Sequence, residues 1–94
     1  MELVLYSKPG CHLCEGLQEK LEALGHLDFT LEIRDITTRP DWFAAYQYEI
    51  PVLCRVIPTE AGSQEAALPR LSPRAPLAKL EQMLQTYLNL DAAK

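Results

Sequence analysis

The sequence predicts an α/β domain of element order β-α-β-α-β-β-α, with a four-stranded mixed sheet flanked by three helices. Two observations lead to this prediction: short apolar runs end at turn residues, and other segments repeat apolar residues every three or four positions. A strand, a helix and a second strand in succession form a right-handed parallel unit. The chain has 94 residues, which is enough for one domain, and we assign residues 1–94 to it.

The first half of the chain contains this parallel unit. Residues 3–6 are an apolar run that stops before a Pro-Gly pair, which predicts a buried strand. A helix follows, with Gly25 as its expected C-terminal cap. Residues 29–34 alternate between apolar and polar, which predicts a half-buried strand. The apolar face of the helix consists of Cys14, Leu17, Leu21 and Leu24.

The middle of the chain predicts a short helix and a third strand. Residues 41–47 have helical spacing and follow a capping candidate, Thr38. Residues 50–57 form an apolar run with Pro51 at its start. A proline is tolerated there because it removes no interior hydrogen bond of the sheet.

The last part of the chain predicts a hairpin strand and a helix. Residues 58–63 are rich in turn residues, and residues 64–68 form a weaker strand after them. The final helix is expected to begin near Pro76. Its apolar stripe consists of Leu77, Leu80, Leu84, Tyr87 and Leu88.

Composition and charge exclude several functional classes. The net charge is −4 and the basic residues are scattered, so the footprint of a nucleic-acid-binding protein is missing. No apolar run approaches the roughly 20 residues of a membrane span. The N-terminus has an acid and only a short apolar run, unlike a secretory leader. We therefore expect a cytoplasmic monomer that binds neither nucleic acid nor membrane.

Cys11 and Cys14 form a C-x-x-C motif between the first strand and the first helix. Unpaired N–H groups and the helix dipole favour negative charge at a helix start, so the first thiol should have a lowered pKa and act as the nucleophile. The second cysteine lies one turn further on, where it should be more buried and resolve a mixed disulfide. Three-residue spacing on a helical turn also brings the two sulfurs near disulfide distance. The motif therefore indicates thiol–disulfide exchange.

Two cations near the motif each have two interpretations. His12, as imidazolium, would stabilise the Cys11 thiolate, and this would make the pair a stronger oxidant. Alternatively, its side chain points into solvent. Lys8 is either a second stabilising cation or a solvated loop residue.

Metal binding is the structural alternative for the cysteine pair. Zinc takes four ligands, and the chain has no second C-x-x-C motif. A site shared between two chains stays open, whereas an intrachain site would have to recruit Cys54, His26, His12 or carboxylates. Cys54 lies in the third predicted strand, where a cysteine usually behaves as a small hydrophobic residue.

Two segments resemble those of a known family. Residues 6–14, YSKPGCHLC, and residues 49–53, EIPVL, resemble the active-site and cis-proline segments of glutaredoxin-like proteins. The branch that the chain resembles is the small bacterial and plastid one, whose members often have a C-x-L-C motif. The resemblance implies a thioredoxin fold and a cis bond between Ile50 and Pro51 that packs against the cysteine pair.

The resemblance also implies roles in substrate binding. Ile50 would offer its backbone N–H and C=O to an extended thiol substrate, and Lys8 would meet the substrate's carboxylate. His12 and Leu13 replace the Pro-Tyr pair of typical glutaredoxins. Residues 68–74 lack the Gly-Gly-x-Asp stretch that helps glutaredoxins to hold glutathione.

These observations predict a thiol–disulfide oxidoreductase that reduces protein disulfides or glutathione mixed disulfides. The exchange needs no metal or organic cofactor, and either glutathione as co-substrate or a thioredoxin reductase would supply the electrons. The alternatives are a module that binds glutathione or an iron–sulfur cluster, and a non-catalytic scaffold. The predicted catalytic residues are Cys11 and Cys14, and the predicted substrate-binding residues are Lys8, His12, Leu13, Ile50 and Pro51.

Overall fold

The computed structural model describes residues 1–92, and the side-chain environments of residues 1–90. A four-stranded mixed sheet with three α-helices confirms the predicted fold class. The predicted domain end at residue 94 lies outside the described residues. The elements are β1 (Glu2–Ser7), α1 (His12–Ala23), β2 (Thr30–Asp35), a single 3-10 turn (Ile36–Thr38), α2 (Pro40–Tyr46), β3 (Val52–Thr59), β4 (Gly62–Ala67) and α3 (Leu77–Ala92).

Strand β1 lies in the interior of the sheet, whose strand order is β2-β1-β3-β4. It pairs in parallel with β2 and antiparallel with β3, so that Leu5 lies between Ile33 and Leu53. Strands β3 and β4 form an antiparallel hairpin. Residues 3–6 are buried because β1 has a strand on each side and helices on both faces.

Two apolar layers cover the two faces of the sheet. On one face, Leu3 and Leu5 pack with Leu21 of α1 and with Leu80 and Leu84 of α3. On the other face, a second layer packs around α2. Helices α1 and α3 therefore share a face, and α1 projects from the end of the central strand β1. The second layer contains Val4, Tyr6, Ile36, Cys54, Trp42 and Tyr46.

The caps of the first two helices differ from the sequence predictions. Helix α1 ends at a Leu24 cap, and Gly25 lies beyond it without the positive φ of a glycine cap. Helix α2 has Arg39 as its N-cap, with no side-chain hydrogen bond. Thr38 is not the cap because it belongs to the preceding 3-10 turn, where its hydroxyl donates to the Asp35 carbonyl at 2.7 Å.

Three other details of the strands and of α3 depart from the sequence patterns. Ile33 is exposed although the alternation predicted an inward side chain, because β2 is an edge strand. Strand β4 begins at Gly62, two residues before the predicted start, and Gly62 adopts a φ of 129° that favours glycine. Leu77 opens α3 but is exposed, whereas Leu80 and Leu84 are buried.

A polar network joins both edge strands across the α2 face of the sheet. Arg34 of β2 donates to the Tyr6 hydroxyl at 2.8 Å and to the Glu65 carboxylate of β4 at 2.9 Å. The Tyr6 hydroxyl donates to the other Glu65 oxygen at 2.5 Å. Burial raises the pKa of Glu65, but the hydrogen bonds from Tyr6 and Arg34 outweigh it and leave the pKa below its usual value. The network therefore favours an ionised Glu65.

Within residues 1–92, no helix is long and apolar enough to span a membrane.

Candidate active site

Cys11 is the N-cap residue of α1. Its backbone is extended, with φ −86° and ψ 102°, and its carbonyl accepts the first helical hydrogen bond from the N–H of Glu15 at 3.0 Å. The loop before it turns at Gly10, whose φ of 82° is readily adopted only by glycine. The N–H of Cys11 donates to the Lys8 carbonyl at 3.3 Å. The strand end, the glycine turn and the helix start together fix the position of Cys11.

The sulfur of Cys11 takes the place of a capping oxygen. The N–H of Cys14 donates to Sγ of Cys11 at 3.2 Å. The first N–H groups of a helix have no partner within the helix, and they carry the positive end of its dipole. When the pair is reduced, this environment favours a negatively charged sulfur at Cys11.

The two cysteines are bonded to each other and differ in exposure. They form a disulfide with a Cα–Cα distance of 5.3 Å, which lies within the ordinary range. Cys14 is 0% exposed, whereas Cys11 is only partly buried. An approaching disulfide therefore meets the sulfur of Cys11 first.

The cationic residues near the motif lie on the surface. The side chain of His12 is 93% exposed, and its Nδ1 lies 3.6 Å from a Glu15 carboxylate oxygen, so the residue faces solvent. Lys8 is exposed in the loop before Cys11, and its backbone carbonyl, as described above, receives a hydrogen bond. Leu13, between the two cysteines, is also largely exposed.

The segment before β3 has a cis peptide bond between Ile50 and Pro51, as the resemblance implies. The N–H of Ile50 donates to the Tyr46 carbonyl at 3.1 Å, so the end of α2 already uses the group that was expected to bind substrate. The preceding carbonyl, that of Glu49, accepts a hydrogen bond from Arg70 at 2.5 Å.

A cleft of about 360 Å³ opens beside the motif. It brings together three of the predicted substrate-binding residues: His12, Leu13 and Pro51. Lys8 and Ile50 lie outside its lining. The remaining walls come from α1, the base of the hairpin, α3 and the segment of residues 69–75, which we call the strap.

The strap is held at two points by side chains that the sequence did not single out for this purpose. Lys20 of α1 donates to the carbonyls of Pro73 and Ala75, each at 3.0 Å. Arg70 donates to the Glu49 carbonyl, as described above, and its guanidinium lies 3.8 Å from the Glu49 carboxylate. Local sequence patterns give no indication of either contact, because each joins segments that lie far apart in the chain.

Cys54, the third cysteine, does not belong to this site. Cys54 is buried in β3, and burial raises the pKa of its thiol. Among residues 1–90, whose side-chain environments are described, no three His, Cys, Asp or Glu side chains lie close enough to hold a metal ion.

Most of the chain matches the model of one protein family. Residues 2–85 match the family model of the "Glutaredoxin-like domain (DUF836)". The chain belongs to this glutaredoxin-like family. The match includes the C-x-x-C motif, the cis-proline segment, the strap and most of α3. No curated protein matches the chain.

Two solved structures share the fold of this glutaredoxin-like chain. Thioredoxin 1 from the thermophilic eubacterium Thermosipho africanus has a TM-score of 0.62 at 15% identity. The alignment covers 98% of this chain and 99% of the thioredoxin chain. The structural-genomics target XcR50 from X. campestris has a TM-score of 0.51 at 26% identity. The alignment covers 94% of this chain and 96% of the XcR50 chain. The family, the fold and the bonded cysteine pair together support a redox function of the two thiols.

Proposed function

We propose that this protein is a thiol–disulfide oxidoreductase that reduces protein disulfides or glutathione mixed disulfides. The observation that carries the proposal is the position of Cys11 Sγ at the start of α1, where it accepts the Cys14 N–H. The helix start favours a negatively charged sulfur in this position, and the thiolate is the species that attacks disulfides.

The reaction proceeds through two exchanges. The Cys11 thiolate attacks one sulfur of the substrate disulfide, whose S–S bond breaks, and one substrate thiolate leaves and takes up a proton. Cys11 is then joined to the other half of the substrate. Cys14 loses its proton and attacks Sγ of Cys11, which releases the second substrate thiol. The substrate gains two electrons and two protons, and the Cys11–Cys14 disulfide is the oxidised product.

An external thiol reductant must return the pair to the dithiol form. Glutathione would do so by two further exchanges and end as glutathione disulfide, whereas a thioredoxin reductase would supply both electrons through its own dithiol. The exchange itself uses only thiols and disulfides, so it requires neither a metal nor an organic cofactor. We propose that the protein does this as a cytoplasmic monomer.

The predicted binding residues would hold the substrate beside Cys11. The Ile50 carbonyl would accept a hydrogen bond from the substrate backbone, in the manner of strand addition. Pro51 and Leu13 would give apolar contact, since both line the cleft. Lys8 and His12 are exposed near the motif, where they would meet an acidic group of the substrate.

The proposal is tested by turnover of bis(2-hydroxyethyl) disulfide and of oxidised insulin, with glutathione or a thioredoxin reductase as the electron source. The expected result is turnover by the unmodified protein and by Cys54→Ala, and none by Cys11→Ser. Alkylation and mass spectrometry should show a reversible loss of two protons shared by Cys11 and Cys14. A disulfide that forms reversibly without any turnover would contradict the enzyme and favour a non-catalytic scaffold.

A further inference from the structure

Apolar side chains line the deepest part of the cleft beside the dithiol. Its floor is formed by Leu53 and Leu68, both buried in the main apolar layer. Leu17 of α1 and Met83 of α3 form opposite walls, and both pack against the same layer. Among the described residues that line the cleft, none is an aspartate or a glutamate, and three are basic: His12, Lys20 and Arg70. Lys20 and Arg70 already donate to backbone carbonyls, and the His12 side chain is exposed to solvent. A charged group buried there without a partner would lose its hydration at high cost, so the chemistry of the lining selects an apolar occupant.

The cleft reaches the redox motif at His12 and Leu13, although neither cysteine lines it. Leu13, which lies between the two cysteines, is 53% exposed, and Leu71 of the strap is 36% exposed. Both line the cleft together with Pro51. A substrate that presents its disulfide to Cys11 would therefore have the residues that flank its own cysteine near an apolar cleft.

The strap forms one wall of the cleft. Lys20 lines the cleft, but its ammonium group is occupied by the carbonyls of Pro73 and Ala75. At Gly16, also in the lining, a Cβ would meet no heavy atom within 4 Å, so the space above this part of α1 is unfilled. The volume of about 360 Å³ lies within the ~300–1,000 Å³ range of ligand pockets.

We propose that this cleft binds one large apolar side chain, such as leucine, phenylalanine or methionine, that neighbours the cysteine of a protein disulfide. The proposal rests on the proposed function, because it assigns the specificity of the same site. A side chain tethered to the reacting sulfur is favoured over a separate ligand because the cleft opens beside Leu13 and Pro51. The protein is then selective for disulfides flanked by bulky apolar residues.

The first experiment compares peptide disulfides that differ in one side chain. One pair has leucine or alanine directly after the cysteine, and a second pair has the same choice directly before it. Burial of a leucine side chain predicts a kcat/KM about tenfold higher for the leucine peptide in at least one pair. Equal values in both pairs would overturn the inference, while turnover of the alanine peptides and of bis(2-hydroxyethyl) disulfide would leave the proposed function standing. If no disulfide is turned over, the proposed function fails and the inference fails with it.

The second experiment fills the cleft from Gly16. The matched pair is Gly16→Leu, designed to place a side chain in the open space of the cleft that Gly16 lines, and Gly16→Ala, which adds only a methyl group. Both replace a glycine inside a helix and should help α1 to form. The ratio of leucine-peptide to alanine-peptide kcat/KM is expected to fall towards one in Gly16→Leu and to keep its value in Gly16→Ala. A ratio that survives in Gly16→Leu, with the fold verified by circular dichroism, would place the selectivity elsewhere.

Discussion

The backbone N–H of Cys14 donates a hydrogen bond to Sγ of Cys11 at 3.2 Å, so one cysteine caps the helix that contains the other. The sequence MELVLYSKPGCHLC leads to this relationship because a buried strand ends at a glycine turn just before the motif. The cap makes the two thiols unequal: Cys11 faces incoming disulfides, and Cys14 is enclosed by the core.

The first prediction concerns the acidity of Cys11. In the reduced protein its pKa should lie below the ~8.5 of a free cysteine, because the helix start stabilises the thiolate. Cys14→Ser keeps the backbone N–H and isolates Cys11 for measurement. The rate of Cys11 alkylation against pH, followed by mass spectrometry, gives the pKa. A value at or above that of a free cysteine would contradict the role of the cap.

The second prediction concerns the reduction potential. An imidazolium beside the thiolate would stabilise the reduced pair and make it more oxidising, but His12 is 93% exposed and faces Glu15. The potential of the Cys11–Cys14 couple should therefore lie nearer to the ~−270 mV of thioredoxin than to the ~−120 mV of strong oxidants. His12→Ala should shift it little. Equilibration with glutathione measures the reduction potentials of the unmodified protein and of His12→Ala. A large difference between them would show that the imidazole acts on the thiolate.

The third prediction concerns the strap. Lys20→Met removes two hydrogen bonds to the carbonyls of Pro73 and Ala75, so the strap should open more often. The amide of Ala75, which donates to the Ser72 carbonyl at 2.9 Å, is expected to exchange about tenfold faster with deuterium. Lys79→Met, on the exposed side of α3, is the matched control and should leave this amide unchanged. Equal protection in both variants would mean that Lys20 does not hold the strap.

The fourth prediction concerns the acid side of the stability curve. Burial raises the pKa of Glu65, but its hydrogen bonds with Tyr6 and Arg34 leave the pKa below the ordinary 4.5. A lowered native pKa stabilises the fold above the unfolded-state pKa, and this stability is lost as the pH falls through the native value. Glu65→Gln should therefore lower the free energy of unfolding by about 1 kcal/mol at neutral pH, and the difference should shrink in acid.

Urea unfolding over a pH series measures this effect. Glu60→Gln, in the exposed hairpin turn, removes one carboxylate outside the network and serves as the control. A difference between the unmodified protein and Glu65→Gln that stays constant into acid would contradict the assigned ionisation.

Local patterns were sufficient to predict the element order and the position of the motif. Periodicity and the Pro-Gly punctuation are properties of neighbouring residues, and the structure confirms the strands and helices that they predict. The exposure of Ile33 could not be read from its alternation, because it depends on β2 being at the edge of the sheet. The pairing of Arg34 with Glu65 likewise depends on two edge strands, 31 residues apart in the chain.

In the candidate site, too, local motifs predicted some features, whereas others depend on contacts between distant segments. Cys11, Cys14 and the cis bond at Pro51 were identified from short motifs and the family resemblance. The use of the Ile50 N–H by α2 was missed, because it depends on how the last turn of that helix meets the next segment. The strap was missed because its anchor, Lys20, is 53 residues from Pro73 and looks like an ordinary polar residue of an amphipathic helix.

The central claim is that Cys11 is the attacking sulfur, and trapping of the mixed disulfide tests it most directly. In Cys14→Ser the second exchange is blocked, so incubation with a peptide disulfide should leave half of the peptide bonded to the protein. Peptide mapping by mass spectrometry is expected to find the adduct on Cys11, and dithiothreitol should release it. Loss of the adduct in Cys11→Ser completes the expected result, whereas an adduct on Cys54, or none at all, would contradict the account.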